Sequence, residues 1–258
     1  MPFDFRPSFF LQPHADDVPL SCGGTAAATA AAGHLSHILT VFAGEVLPQM
    51  VGEFAAWKHS RWGLKDVGAV SAVRRAEDAE AAKSLGCTIR WLGLPDAIYR
   101  GDSYTCEEEL FASLGHIERE LADHIAEELQ GLPEWQRDAI IYVPLGIGSH
   151  VDHQILFHTG RRLAQAGYQV LAYEDAPYVI HTPEGRQRRL SEVGGYVGEP
   201  ILVNITGHLE VKLDAIASYR SQVPVIFRFT KDFREAVTEH ALATGAGRPA
   251  ERFWQVLA

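Results

Sequence analysis

The stretch FFLQPHADDVPLSCGG, Phe9 to Gly24, decides how the rest of the chain is read. An apolar run centred on Phe9–Leu11 predicts a short buried strand. It ends in His14, Asp16 and Asp17, and then come a proline, a serine and two glycines. The Ala-rich segment GGTAAATAAAGH, Gly23–His34, predicts a helix that stops at Gly33. HILTVFAG, His37–Gly44, predicts a second strand. Strand, loop, helix and strand in that order make a βαβ unit of a parallel sheet. An imidazole and two carboxylates therefore stand at the carboxyl end of a buried strand, where open α/β sheets bind their ligands.

The same alternation continues. Val70–Leu85 predicts a helix stopped by Gly86, and CTIRWLGL, Cys87–Leu94, a third strand. Glu107–Gln130 predicts one helix, with Leu110, Leu114, Ile117, Leu121 and Ile125 on a single stripe. AIIYVPLG, Ala139–Gly146, is a fourth strand and His153–Ala166 a helix. QVLAYEDAPY, Gln169–Tyr178, holds a fifth strand, and helices follow over Leu209–Gln222 and Arg234–Leu242. Glu45–Lys65, which carries Phe54, Trp57 and Trp62, reads as a long irregular loop or lid. No linker-like segment interrupts the pattern. The expectation is one α/β domain over residues 1–258, Rossmann-like, with three α/β/α layers and a mostly parallel sheet. The G-x-G-x-x-G dinucleotide fingerprint does not follow the first strand, and carboxylates there would repel a pyrophosphate.

Composition narrows the function classes. A net charge of −10 lacks the basic footprint of a nucleic-acid binder. No apolar run is long enough to span a bilayer, and no secretory leader is visible. The three cysteines, Cys22, Cys87 and Cys106, are odd in number and unpaired by spacing, which fits a reducing, cytoplasmic setting.

A second polar cluster, GSHVDHQ at Gly148–Gln154, lies past the fourth strand and would reach the same sheet edge. Two histidines and a carboxylate are a frequent ligand set for a catalytic metal with a position open to water. A carboxylate beside them that is not a ligand can take the proton of that water. The plainer alternative is helix capping by Asp16, Asp17 or Asp152. The residues alone leave open which aspartate would bind metal and which would act as base.

These two clusters resemble the PIG-L or LmbE-like de-N-acetylases. Their first motif, Pro-His-Pro-Asp-Asp-Glu, is matched at Pro13, His14, Asp16 and Asp17, and their His-x-Asp-His at His150–His153. Supporting similarity lies in RRAED (Arg74–Asp78), LGLPD ending at Asp96, YEDAPY (Tyr173–Tyr178), KLDAIASYRSQ (Lys212–Gln222) and ERFW (Glu251–Trp254). The resemblance implies a zinc ion held by His14, Asp17 and His153, with iron(II) or another divalent metal also acceptable to such ligands. It implies Asp16 as general base and His150 as stabiliser of the oxyanion. Arg74 would lie near the substrate, and Asp96 is a candidate for a sugar hydroxyl; a surface pair with Asp78 and an ordinary turn are the plainer readings of these two. Ala15 and Val18 depart from the motif.

The implied activity is removal of the N-acetyl group from a small-molecule N-acetylglucosamine-type conjugate, a hydrolysis of a linear amide. Alternatives are an amidase acting on a sugar-linked thiol conjugate and a non-catalytic sugar-binding module. A homo-oligomer is compatible with the sequence.

Overall fold

Strands β1 (Ser8–Gln12), β2 (Ser36–Thr40), β3 (Thr88–Trp91), β4 (Ile140–Pro144), β5 (Gln169–Tyr173), β6 (Val197–Asn204) and β7 (Ala250–Val256) form one sheet in the order β3-β2-β1-β4-β5-β7-β6. The structure is a computed structural model and describes residues 3–64, 66–230 and 232–258. The five strands β1 to β5 pair with one another in parallel, whereas β7 runs antiparallel to both β5 and β6. Helices cover the sheet, so β1, β2 and β4 are buried at every residue. That is why they read as continuous apolar runs and not as alternating ones.

The chain runs outward from β1 to β2 and β3, then returns and lays β4 on the free side of β1. The topological switch point lies between β1 and β4, where open sheets of this kind form a crevice. Both polar clusters of the sequence leave these two strands.

Several expectations are corrected. Strands β6 and β7 escaped the sequence reading. β6 forms one edge of the sheet, is largely exposed and carries Gly198 and Pro200, so it has no apolar run to display. The expected single helix over Glu107–Gln130 is two, Glu107–Leu110 and His116–Gln130. The chain turns at Gly115, whose N–H donates to Glu118 Oε2 at 2.9 Å, and Ile117 faces solvent. The expected loop over Glu45–Lys65 contains a helix, Glu53–Arg61, and a short 3-10 turn, Pro48–Met50; Lys65 lies outside the described residues. The first helix begins at Asp17, with a kink at Cys22 (φ −138°), so the Ala-rich segment is its second half.

A buried carboxylate explains that kink. Glu251 of β7 accepts from Gly24 N at 2.9 Å, Thr25 N at 2.7 Å and Thr25 Oγ1 at 2.6 Å, and pairs with buried Lys212 at 2.7 Å. It caps the Ala-rich half as a side-chain N-cap would. Asp78 is equally sheltered and accepts from Gln12, Thr40, Trp91 and Tyr219. These contacts give RRAED, KLDAIASYRSQ and ERFW a structural role: they fasten the last third of the chain to the first. Glu251→Ala should cost about 3–5 kcal/mol, because it strands the Lys212 ammonium in the interior. Urea denaturation measures this, and a loss below 1 kcal/mol would show the pair to be dispensable.

Candidate metal centre and active site

His14, Asp17 and His153 converge at the crevice. One donor atom from each lies within 4.8 Å of the others. Asp17 stands between the imidazoles, with Oδ2 at 3.5 Å from His14 Nδ1 and Oδ1 at 3.5 Å from His153 Nε2. Asp17 Oδ2 also accepts the His14 N–H at 2.8 Å, which closes the loop after β1. Burial raises the Asp17 carboxyl, but His153 and His14 outweigh it and hold it at about 2.

Each imidazole is held from behind by a carboxylate at its other nitrogen. Asp175, at the end of β5, meets His153 Nδ1 at 2.7 Å and accepts the Gly146 and Ile147 N–H groups at 2.8 Å each. Asp152 meets His14 Nε2 at 2.9 Å, accepts the Ala97 N–H at 3.1 Å and binds Arg100. This is the usual outer support of metal-binding histidines. A second set, His14, His150 and Asp152, also has ligand geometry. Asp152 is fully buried and its oxygens are already taken up by Arg100, His14 and the Ala97 N–H, so the set built on Asp17 is the better cradle.

The charge balance fits a cation. Asp16, Asp17, Asp96, Asp152 and Asp175 gather here against the guanidinium groups of Arg74 and Arg100. Burial lowers the His14 imidazole, but Asp96, Asp152 and Asp17 together drive it well above its ordinary value. His153 is likewise raised by Asp17 and Asp175 against the effect of burial. Buried carboxylates in excess call for a positive charge, and two imidazoles with one carboxylate are donors suited to a divalent metal.

Asp16 follows Ala15 in a strained turn at φ 117°, and Ser149 on the opposing loop is at φ 65°. Non-glycine residues held there cluster at functional sites. Asp16 makes no capping hydrogen bond. Its Oδ2 lies 3.4 Å from Arg74 Nη2, which also donates to the Ala15 carbonyl at 2.7 Å. Burial pushes the Asp16 carboxyl up to about 8, against the opposing pull of Arg74. Arg74 is therefore no surface partner of Asp78; it is stacked 5.2 Å from the Trp62 ring and aimed at the site.

His150, and not Asp152, caps the helix Val151–Gln165. Its Nδ1 accepts the Asp152 N–H at 3.2 Å. The remaining hydrogen of the neutral ring is then on Nε2. Burial and the neighbouring His14 push this imidazole well below its ordinary value, so it stays neutral. Asp96 caps its own turn through Oδ1, which accepts the Ile98 N–H at 3.2 Å, while Oδ2 stands 3.6 Å from His14 Nε2. Val18 is buried in the core with its N–H on Gln12 Oε1, so the departure from the motif falls outside the cleft.

A cleft of about 370 Å³ opens over these groups. Phe111, Tyr178, Lys58, His181 and Arg228 are among the residues that line it. Trp57 lies half-exposed on the helix Glu53–Arg61, and Tyr99 is buried against His59, so neither is an open stacking surface in the cleft. Glu174 is tied to Arg252 at 3.1 Å, away from the cluster.

Three residues were underread in the sequence. Asp175 follows a strand end and Asp152 sits inside a motif, so both left a trace. Arg100 left none, because it reaches Asp152 only through the fold. Asp175→Asn tests the outer support. An amide can still accept from the Gly146 and Ile147 N–H groups, but its NH₂ then faces His153 Nδ1 and forces the hydrogen onto Nε2. Metal affinity should fall about 10–100-fold, measured by chelator competition. Unchanged affinity would rule out a role for Asp175 in orienting His153.

Residues 9–164 match the PIG-L family, GlcNAc-PI de-N-acetylase. The chain is 33% identical to 2'-N-acetylparomamine deacetylase of Streptomyces fradiae over 227 residues, 83% of this chain and 73% of that one. It is 31% identical to the enzyme of the same name from Niallia circulans over 190 residues, 68% of each chain. The structure of the deacetylase of the antimicrobial A40926 pseudoaglycone superimposes with a TM-score of 0.80 at 25% identity, covering 98% of both chains. With its fold, its two motifs and the greater part of its length in agreement, the chain belongs to the PIG-L family and is a hydrolase of amide carbon–nitrogen bonds.

Proposed function

We propose that the chain, acting as one catalytic domain over residues 1–258, is a zinc-dependent N-deacetylase of an N-acetylglucosamine-type sugar conjugate. The observation that carries this reading is the convergence of His14, Asp17 and His153 with a carboxylate, Asp16, beside them that none of the three needs. His14, Asp17 and His153 would hold the ion. When bound, it supplies Lewis acidity to the acetyl carbonyl and acidifies a water.

The protein groups divide the remaining work. Asp16 takes a proton from the water that attacks the acetyl carbon, and its raised carboxyl suits a base working near neutral pH. His150 donates Nε2–H to the carbonyl oxygen as negative charge develops there. Asp16 returns its proton to the nitrogen as the carbon–nitrogen bond breaks, leaving free amine and acetate. Arg74 steadies Asp16 and, with Asp96, borders the place where a sugar ring would lie. A cleft of this volume accommodates a sugar with part of its aglycone. The relatives named for 2'-N-acetylparomamine support an N-acetylated amino sugar as the substrate class.

Acetate release from 2'-N-acetylparomamine and simpler N-acetylglucosamine conjugates, measured on zinc-loaded protein, tests the reading. Release from at least one conjugate is expected. No release from any of them, with metal demonstrably bound, would overturn it.

A further inference from the structure

A second cavity, of about 360 Å³, lies among the helices His116–Gln130, Val151–Gln165 and Glu184–Val193. Its wall carries Arg119, Arg161, Arg162 and Arg189, with Asp123 and Glu192 as its carboxylates. In a chain of net charge −10 this is a local reversal of sign. Both carboxylates are already engaged, Asp123 by Arg162 and Glu192 by Arg189 at 3.1 Å. Among the described residues, Arg119 and Arg161 are left facing the cavity with no carboxylate of their own.

Two guanidinium groups are also incompletely satisfied. Arg189 is only 7% exposed; its Nε donates to the Leu145 carbonyl at 2.9 Å, but its Nη2 is buried without a partner. Arg161 lies flat on Tyr196, 3.4 Å from the ring centroid, and its Nε is likewise buried and unpartnered. Both atoms are enclosed by protein, so what the cavity offers a ligand is the terminal nitrogens of Arg161 and the guanidinium of Arg119, which have no hydrogen-bond partner among the described residues. The field is strong enough to act on His158, whose imidazole is lowered to about 4 by burial and by Arg161, Arg189 and Arg119. The cavity is at the lower end of the size range of small-molecule sites, larger than an inorganic ion requires.

We infer that this cavity is a binding site for a small phosphate monoester, with Arg161, held on the Tyr196 ring, and Arg119 as its principal anchors. Arginine forks match phosphate geometry, and such charge-assisted contacts are about twice as strong as neutral ones. None of these residues lines the metal cleft, so occupancy here is independent of deacetylation.

Calorimetric titration with glucose 6-phosphate, inorganic phosphate and glucose tests the inference on the wild type, Arg161→Gln, Arg119→Gln and Asp17→Asn. The sugar phosphate should bind the wild type and Asp17→Asn alike, glucose should not bind, and each arginine variant should weaken binding about tenfold or more. Arg119 is exposed, so its variant keeps the test open if Arg161→Gln folds poorly. Three results would overturn the site: no binding to the wild type, binding indifferent to both arginine variants, or binding lost with Asp17. Inorganic phosphate binding as tightly as the ester would overturn the assignment to a monoester.

Discussion

Asp16→Asn is expected to lower kcat by about 10³-fold while leaving KM and metal content near their wild-type values. The amide is nearly the same size, and its oxygen can still accept from Arg74, so the strained turn keeps its contacts. What it lacks is the ability to take a proton from water. Asp16 lies outside the His14–Asp17–His153 set, so the ion should stay in place. Turnover and elemental analysis of one sample separate the two effects. Turnover within tenfold of wild type would remove Asp16 as the base. Loss of metal together with activity would make it a ligand instead, and the division of labour between the two aspartates would have to be exchanged.

His153→Ala should abolish both metal binding and acetate release, with about one ion per chain in wild type and essentially none in the variant. In the proposed site the ring would supply one of three protein ligands, and it is also the partner of two buried carboxylates, Asp17 and Asp175. Removing it leaves Asp175 with only the Gly146 and Ile147 N–H groups. A stability loss of about 3–5 kcal/mol is expected from breaking such a buried pair, so the metal analysis belongs on protein shown to be folded by circular dichroism. Folded His153→Ala that keeps a full complement of metal would shift the cradle to His14, His150 and Asp152, the other set with ligand geometry. Wild type that takes up no metal from added zinc would return both clusters to structural roles.

The sequence by itself determined the strands that carry the site. β1 and β4 are buried on both faces, so their apolar runs are visible without a fold, and the polar residues that interrupt them at their ends are conspicuous for the same reason. It also determined the family, because the two motifs are local in the chain. It predicted less well where packing competes with pattern. β6 is an edge strand with polar faces, and the stripe through Ile117 suggested a longer helix than the one that Gly115 allows.

Only the tertiary structure decided which charged residues meet. The choice between ligand, base, cap and support depends on what lies within about 3 Å of each oxygen, and sequence spacing carries no such information. His14 and Asp152 meet because β1 and β4 are neighbours at the switch point, although, among the described residues, five α-helices and two other strands separate them along the chain. Arg74 turned from a surface residue into a partner of Asp16 for the same reason, and Arg100 became the clamp on Asp152. Burial then separated the two carboxyls: desolvation raises Asp16 while two imidazoles hold its neighbour Asp17 low, a difference between adjacent identical residues that only the fold can make.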